Sequence, residues 1–212
     1  MDPFYLLRGL AIGFAIAAPV GPIGVLVIRR SLLEGRAAGF ASGLGAATAD
    51  AFYGSLAAFG LTTISGLLVG QSVWVRLIGG AFLCYLGLTI VVASPAQQAA
   101  NARHGIIGAY GSTAFLTLTN PTTILSFAAI FAALGLGAGH IAYATAALMV
   151  LGVFLGSSLW WLLLSTVVYL VRNRFSAGGL QWVNRISGAT IAAFGLASLA
   201  SVWGSLRRSV VP

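Results

Sequence analysis

The stretch AIAAPVGPIGVLVIRR, Ala15–Arg30, is apolar enough to enter a bilayer, yet Pro19, Gly21 and Pro22 interrupt it near its centre. A proline inside a helix removes one backbone hydrogen bond and clashes with the preceding turn, which costs about 3 kcal/mol. In lipid, such irregular backbone is tolerated only where it is buried in protein or lines a cavity. The stretch therefore predicts a first membrane span that is broken into two half-helices beside a cavity.

The composition indicates that lipid is the main solvent of this chain. Of its 212 residues, 59% are hydrophobic and only 7% are charged, whereas soluble domains carry about 25% charged residues. The mean hydropathy is +1.00. So few polar groups cannot cover a water-facing surface, and we predict an all-α, polytopic membrane protein.

Apolar runs follow one another along the chain, each at least as long as the roughly 20 residues that cross a bilayer core. They predict six transmembrane helices joined by short links. The runs cover residues 4–28, 37–61, 73–93, 106–136, 141–170 and 181–203.

The positive charge of the chain is carried by arginine alone, and the formal net charge is +8. Most arginines lie in links between apolar runs, where positive charge orients a membrane protein, so we expect no nucleic-acid partner. Arg29 and Arg30 are assigned to the first link. This link and the links between runs three and four and between runs five and six lie on one side of the membrane. Because they hold more arginines than the other side, we expect them in the cytoplasm and both termini outside it.

Two segments of the chain repeat each other. WVRLIGGAFLCYLGL from Trp74 and WVNRISGATIAAFGL from Trp182 agree at seven of fifteen positions at a constant offset of 108. We therefore divide the chain into a first three-helix repeat, residues 1–93, a linker, residues 94–104, and a second repeat, residues 105–212. Because three is odd, the second repeat enters the membrane from the opposite side, as in the inverted repeats of many secondary transporters.

The same pairing matches AAPVGP, residues 17–22, with LTNPTT, residues 118–123, and each segment carries a proline inside an apolar run. In such transporters, interrupted helices at corresponding positions mark a binding site near the bilayer midplane. A half-helix that starts near Pro22 would offer free N–H groups to an anion such as a carboxylate. In the fourth run, Asn120 precedes Pro121 and could cap the next half-helix.

Asp50 lies in the middle of the second apolar run. An ionisable side chain at that depth costs about 2.5–3.5 kcal/mol on insertion scales and is a functional candidate by default, here for carrying a proton or binding a cationic group. Tyr53 shares its helix face, and the matching part of the fifth run offers Ser157 and Ser158, beside Trp161, which we interpret as a packing residue. The alternative interpretation is that Asp50, protonated or hydrogen-bonded, only packs the helices.

The remaining reactive side chains indicate no chemistry of their own. His104 and His140 lie in links rather than in apolar runs. An intramembrane hydrolase with a Ser–His pair is therefore not indicated, because neither histidine lies at membrane depth beside a serine. Metal sites need several converging ligands, and none cluster in the sequence. We expect a protein that is not an enzyme, with no catalytic residue, no metal and no cofactor.

The segments APVGPIGVLVIRR, ATADAFYG, LTLTNPTTILSF and the two Trp-Val repeats, in this order, resemble the LysE family of amino-acid exporters over nearly the whole chain. The resemblance implies six spans in the bacterial cytoplasmic (inner) membrane. It also implies export of amino acids or related small solutes, coupled to an ion gradient. By motif match it implies functional positions at Pro19, Gly21, Pro22, Asp50, Asn120 and Pro121.

We therefore predict a secondary-active, proton-coupled efflux transporter, an antiporter. Its expected partners are an amino-acid-like small molecule, a proton or other coupling ion, and the lipid bilayer, while the substrate and a homodimer stay open. One alternative is a divalent-cation exporter of the same superfamily, which a single intramembrane acid disfavours. A second alternative is a non-transporting membrane scaffold. Distantly related electron carriers use paired cysteines, and the lone Cys84 argues against them.

Overall fold

The computed structural model describes residues 4–19, 21–58, 72–92, 105–120, 123, 127, 143–174 and 176–210. Within these ranges every regular element is helical, which confirms the all-α prediction. The α-helices there are α1 Phe4–Ala17, α2 Pro22–Leu33, α3 Arg36–Ala58, α4 Ser72–Val92, α5 Ile106–Leu118, α6 Tyr143–Val171 and α7 Ala177–Val210. A 3-10 turn, Arg172–Arg174, extends α6.

The first apolar run is broken where its prolines predict. The last helical hydrogen bond of α1 runs from Ala18 N to Phe14 O, at 3.0 Å, directly before Pro19. Pro22 is the first residue of α2, the position where a proline is tolerated because its missing N–H would have no helical acceptor. The axes of α1 and α2 differ by 82°, so the run forms two half-helices rather than one kinked helix.

The turn between α2 and α3 is shorter than the predicted first link. Gly35 adopts a left-handed φ of +96°, which glycine reaches without a steric penalty, and α3 begins at the next residue. The assignment of Arg29 and Arg30 to a link is wrong, since both lie inside α2 and are buried. The physical reason is that no helix breaker intervenes before Gly35, so α2 continues through both arginines to Leu33.

Two described helical segments are long and apolar enough to cross a membrane by themselves, Tyr143–Arg174 and Gln181–Val202. The bent pair of α1 and α2 adds a third if it is counted as one span. Leu77–Val92 and Ile106–Leu118 are shorter apolar helices. Six complete spans therefore stay a prediction, and most of the fourth apolar run after Asn120 lies outside the described residues.

Close backbone contacts define how the helices run relative to one another. A methyl group at Gly9 would overlap Met149, and one at Gly13 would overlap Val153, so α1 and α6 run parallel. A methyl group at Gly45 would overlap the backbone of α5. Small residues allow this close approach between helices in lipid, where the hydrophobic effect does not drive helices together.

The α4–α7 pair is packed through matched glycines. Gly80 lies against Gly195, and Gly87 lies against Gly188, so the two helices run antiparallel. At the offset of 108, Gly80 corresponds to Gly188 and Gly87 corresponds to Gly195, so each of these two α4 glycines contacts the counterpart of the other. The contacts of this pair are therefore reciprocal under exchange of the two repeated segments.

Candidate functional site

The N-terminal end of α2 presents backbone donors that the helix itself cannot satisfy. Gly21 is extended, and its carbonyl accepts the first helical hydrogen bond, from Val25 N at 3.0 Å. The N–H groups of Ile23 and Gly24 precede that bond and have no acceptor within the helix. Aligned peptide dipoles add a partial charge of about +0.5 at this end. The break in the first run thus produces a positive, donor-rich helix end.

Asp50 lies in the middle of α3 with only 3% of its surface exposed. Ser157 of α6 donates a hydrogen bond from Oγ to Asp50 Oδ2, at 2.7 Å, and Trp161 Nε1 donates to Ser157 Oγ, at 3.1 Å. This chain of donors fixes the orientation of one carboxylate oxygen. Among the described residues no further hydrogen bond to Asp50 is found, so the second oxygen is left for a group in the adjacent space.

The helix end and the carboxylate line the same cavity, of about 410 Å³. All of the α-helices defined above contribute to its wall, which combines a largely apolar surface with a few polar groups. This composition and a volume of about 300–1,000 Å³ are typical of sites for small molecules. The lining residues are Ile16, Ala17, Pro19, Gly21, Pro22, Ile23, Gly24, Ala46, Asp50, Leu83, Thr117, Asn120, Thr123, Trp161, Phe194, Ala197 and Ser198.

Most of the residues that the sequence analysis selected come together at this cavity. Five of them line it, namely Pro19, Gly21, Pro22, Asp50 and Asn120. Three others, Ser157, Tyr53 and Ser158, do not line it; Ser157 lies directly behind the carboxylate and reaches the site through its hydrogen bond. Pro121 lies outside the described residues, as does Val20 of the first break.

The hydroxyl of Tyr53 makes its hydrogen bond to another helix rather than to Asp50. It donates to the carbonyl oxygen of Leu118, the last residue of α5. The four last carbonyls of a helix have no acceptor role within it, and in an apolar interior such a carbonyl needs another donor. Tyr53 therefore stabilises the end of α5 beside the second proline-containing segment.

Ser158 is not brought to the cavity. Its Oγ is buried, and it has no hydrogen-bond partner among the described residues. Successive helical residues are rotated by about 100°, so Ser157 and its neighbour cannot both face Asp50. Trp161, which we interpreted as a packing residue, lies in a buried apolar cluster. It also donates a hydrogen bond to Ser157 and lines the cavity, and its spacing of four from Ser157 on one helix is the sequence signal for that contact.

The other end of α2 carries a polar cluster that the sequence analysis missed. Arg30 is 8% exposed. The two N–H bonds of its Nη1 are shared among three acceptors, Ser42 Oγ at 2.7 Å, Ala109 O at 2.9 Å and Thr113 Oγ1 at 3.0 Å. From Nη2 it donates to Ser112 Oγ, at 2.9 Å. A buried cation is tolerated when it is hydrogen-bonded, and here the hydrogen bonds connect α2 to α3 and α5.

Arg29 extends the cluster to α7. Its Nε donates to Asn184 Oδ1, at 2.8 Å, and its Nη1 lies 3.5 Å from Glu34 Oε1. The sequence signal for these contacts is the presence of polar residues, such as Ser42 and Asn184, near the ends of otherwise apolar runs. Such residues can accept hydrogen bonds from buried arginines. We call Arg29, Arg30 and the residues that accept their hydrogen bonds the arginine cluster.

Comparison with known proteins shows the family of the chain. A family model described as LysE type translocator matches residues 14–201, which is most of the chain. This protein belongs to the LysE type translocator family. The LysE resemblance inferred from the sequence motifs is thereby confirmed, and the chain is a membrane transporter of the exporter type.

Two curated relatives are similar over nearly their whole length. The uncharacterized membrane protein YahN of Escherichia coli (strain K12) is 31% identical over 203 residues, which are 92% of this chain and 90% of the relative. The putative amino acid efflux protein YcgF of Bacillus subtilis (strain 168) is 26% identical over 195 residues, or 89% of this chain and 92% of the relative. No solved structure matches the chain.

Proposed function

We propose that this LysE-type translocator exports free amino acids or closely related metabolites in exchange for protons, and that the cavity beside Asp50 is its substrate site. The observation that carries the proposal is the joint lining of one cavity by the N-terminal end of α2 and a buried carboxylate. A free amino acid carries both complementary groups, a carboxylate and an ammonium. The printed name of YcgF, a putative amino acid efflux protein, agrees with this substrate class.

The substrate carboxylate would be held by the first N–H groups of α2, those of Ile23 and Gly24. Helix N-termini bind anions because unpaired N–H groups and the helix dipole act together. The substrate ammonium would be held by the oxygen of Asp50 that Ser157 does not use. The hydrogen bond from Ser157 keeps the carboxylate oriented while the cavity is empty.

Proton exchange would follow from competition for the same carboxylate. Asp50 holds either a proton or the substrate ammonium, because a buried carboxylate needs a partner for its charge. Release of the substrate on one side then allows a proton to bind, and the returning proton discharges on the other side. This sequence moves substrate and proton in opposite directions across the membrane.

The two-fold packing of α4 and α7 supports movement of two repeats around this site. Its reciprocal contacts, Gly80 with Gly195 and Gly87 with Gly188, are those expected of inverted repeats, which transporters rock against each other around a fixed midplane site. We propose that residues 1–93 and 105–212 are these repeats. We also propose the bacterial inner membrane as their location, with both termini outside.

The test is transport by the purified chain in liposomes with an imposed pH gradient and labelled leucine. Asp50→Asn keeps an acceptor for Ser157 but removes the charge, and we expect transport to fall by about 30-fold or more. Ser55→Ala is the matched control, since Ser55 lies on the same helix and, within the described part of the chain, its hydroxyl bonds only to Ala51 O, at 2.8 Å. Undiminished, gradient-driven transport by Asp50→Asn would refute the assigned role of Asp50.

A further inference from the structure

We infer that the cavity selects amino acids with an uncharged, apolar side chain and rejects both basic and acidic ones. This inference rests on the proposed function and narrows its substrate class. It follows from the number of charged groups at the cavity and from the nature of its wall.

Only one carboxylate is available to a substrate cation. The whole chain contains three acids, Asp2, Glu34 and Asp50. Glu34 follows the last turn of α2 and faces Arg29, about 18 Å along the helix from Pro22. Asp2 lies outside the described residues and precedes α1, which meets the cavity at its opposite end.

A basic amino acid would therefore bring one cation too many. Its α-ammonium would pair with Asp50, and the second cation, on the side chain, would enter the cavity without a counter-ion. Burying an unpaired ammonium is strongly unfavourable. Lysine and arginine should consequently bind much more weakly than an amino acid of similar size with a neutral side chain.

An acidic amino acid meets the converse problem. Its second carboxylate would need a cation, and the two arginines of α2 lie at the far end of that helix. The Arg30 guanidinium already donates four hydrogen bonds within the protein, and Arg29 is held by Asn184 and Glu34. The α2 N-terminus provides for one carboxylate only.

Most of the cavity wall is apolar and suits an apolar side chain, although Thr117, Asn120, Thr123 and Ser198 also line it. Ile16, Leu83 and Phe194 supply apolar surface. Thr117 lines the same space, but its hydroxyl donates to Thr113 O, at 2.8 Å, within its own helix. Its hydrogen is thereby used, and an apolar side chain of the substrate can cover it without leaving a donor unpaired. The cavity, at about 410 Å³, has room for a side chain such as that of leucine.

The test is counterflow with the full-length protein in liposomes, using labelled leucine, lysine and glutamate in parallel. We expect leucine to exchange at least about tenfold faster than either charged amino acid. Lysine or glutamate exchanging as fast as leucine would overturn the selectivity and leave amino-acid export standing. Exchange of none of the three would overturn the proposed function itself, together with this inference.

A charge variant sharpens the test. Ala197 lines the cavity and is not buried within the protein, so Ala197→Asp adds a second carboxylate without overfilling the protein interior. We expect the leucine-to-lysine ratio to fall by about tenfold or more in this variant. Ala197→Asn introduces a side chain of the same shape without the charge, and its leucine-to-lysine ratio should equal that of the unmodified protein. Equal ratios in both variants would show that the charge count does not set the selectivity.

Discussion

The two ends of α2 are both buried and both polar, but they differ in how fully their polar groups are paired. At the C-terminal end, Arg30 donates hydrogen bonds to four acceptors, and Arg29 has two partners of its own. Beside the N-terminal end, Asp50 of α3 receives one hydrogen bond from the described residues, that of Ser157, and faces a cavity. A fully satisfied buried network fixes a structure, whereas unused polar capacity beside a cavity is what a ligand can occupy.

The contrast explains why buried charge alone does not identify a site. Arg30 and Asp50 are similarly inaccessible, at 8% and 3% exposure. Asp50 lines the cavity described above, and Arg30 is not among the residues that line it. We therefore assign a structural role to the arginine cluster and a binding role to the cavity, and the following variants test that division.

The largest effect on stability is expected for Arg30→Ala. The change removes four hydrogen bonds from a charged donor and leaves a void between α2, α3 and α5, which should lower the free energy of unfolding by about 3–5 kcal/mol. Unfolding of the detergent-solubilised protein measures it. Arg174→Ala, at an exposed arginine, is the control and should stay within about 0.5 kcal/mol of the unmodified protein.

Asp50→Asn should show the opposite pattern. Its amide oxygen can still accept the hydrogen bond from Ser157, and the loss of a buried charge removes a source of instability. We expect a free energy of unfolding within about 1 kcal/mol of the unmodified protein, despite the expected loss of transport. A loss of stability as large as that of Arg30→Ala would assign Asp50 to the packing of the helices instead.

Tyr53→Phe tests the hydroxyl at the end of α5. The variant leaves the carbonyl of Leu118 without this donor, which should cost about 1–3 kcal/mol of stability. Tyr110→Phe is a matched control, because Tyr110 OH bonds to Thr48 Oγ1 at an exposed position. Equal effects of the two changes in thermal unfolding would contradict the role that we give to Tyr53.

The neighbouring serines of α6 provide the smallest and most closely matched comparison. Ser157→Ala removes the donor to Asp50 and should cost about 1 kcal/mol of stability, with a raised KM for leucine because the carboxylate loses its orientation. Ser158→Ala removes a hydroxyl that has no partner among the described residues, so neither quantity should worsen. A raised KM for leucine in both variants would show that loss of the hydrogen bond to Asp50 is not its cause.

The sequence was sufficient for the helical class, the position of the first break and the place of Asp50. These features depend on local properties, namely proline geometry at Pro19 and Pro22 and the rarity of acids in apolar runs. The partners of Tyr53 and Arg30 depend on which helices pack together, and no local pattern contains that information. Arg29 and Arg30 were wrongly assigned to a link for a related reason, because basic residues after an apolar run usually mark the end of a membrane span.

The site is an intermediate case. Repeat pairing predicted that the two proline-containing segments belong together, and Pro19 and Asn120 line one cavity. The same pairing selected the segment with Ser157 and Ser158, but only the packed helices distinguish the serine that reaches Asp50. Helical periodicity counted from Asp50 cannot distinguish the two serines, because they lie on a different helix.

The central claim is that one cavity binds both charged groups of a free amino acid, and binding of leucine and two analogues to the purified protein tests it most directly. Leucinamide keeps the ammonium without the carboxylate, and 4-methylpentanoate keeps the carboxylate without the ammonium. We predict that each binds at least about tenfold more weakly than leucine, and that Asp50→Asn abolishes only the advantage over 4-methylpentanoate. Either analogue binding as tightly as leucine would contradict the claim.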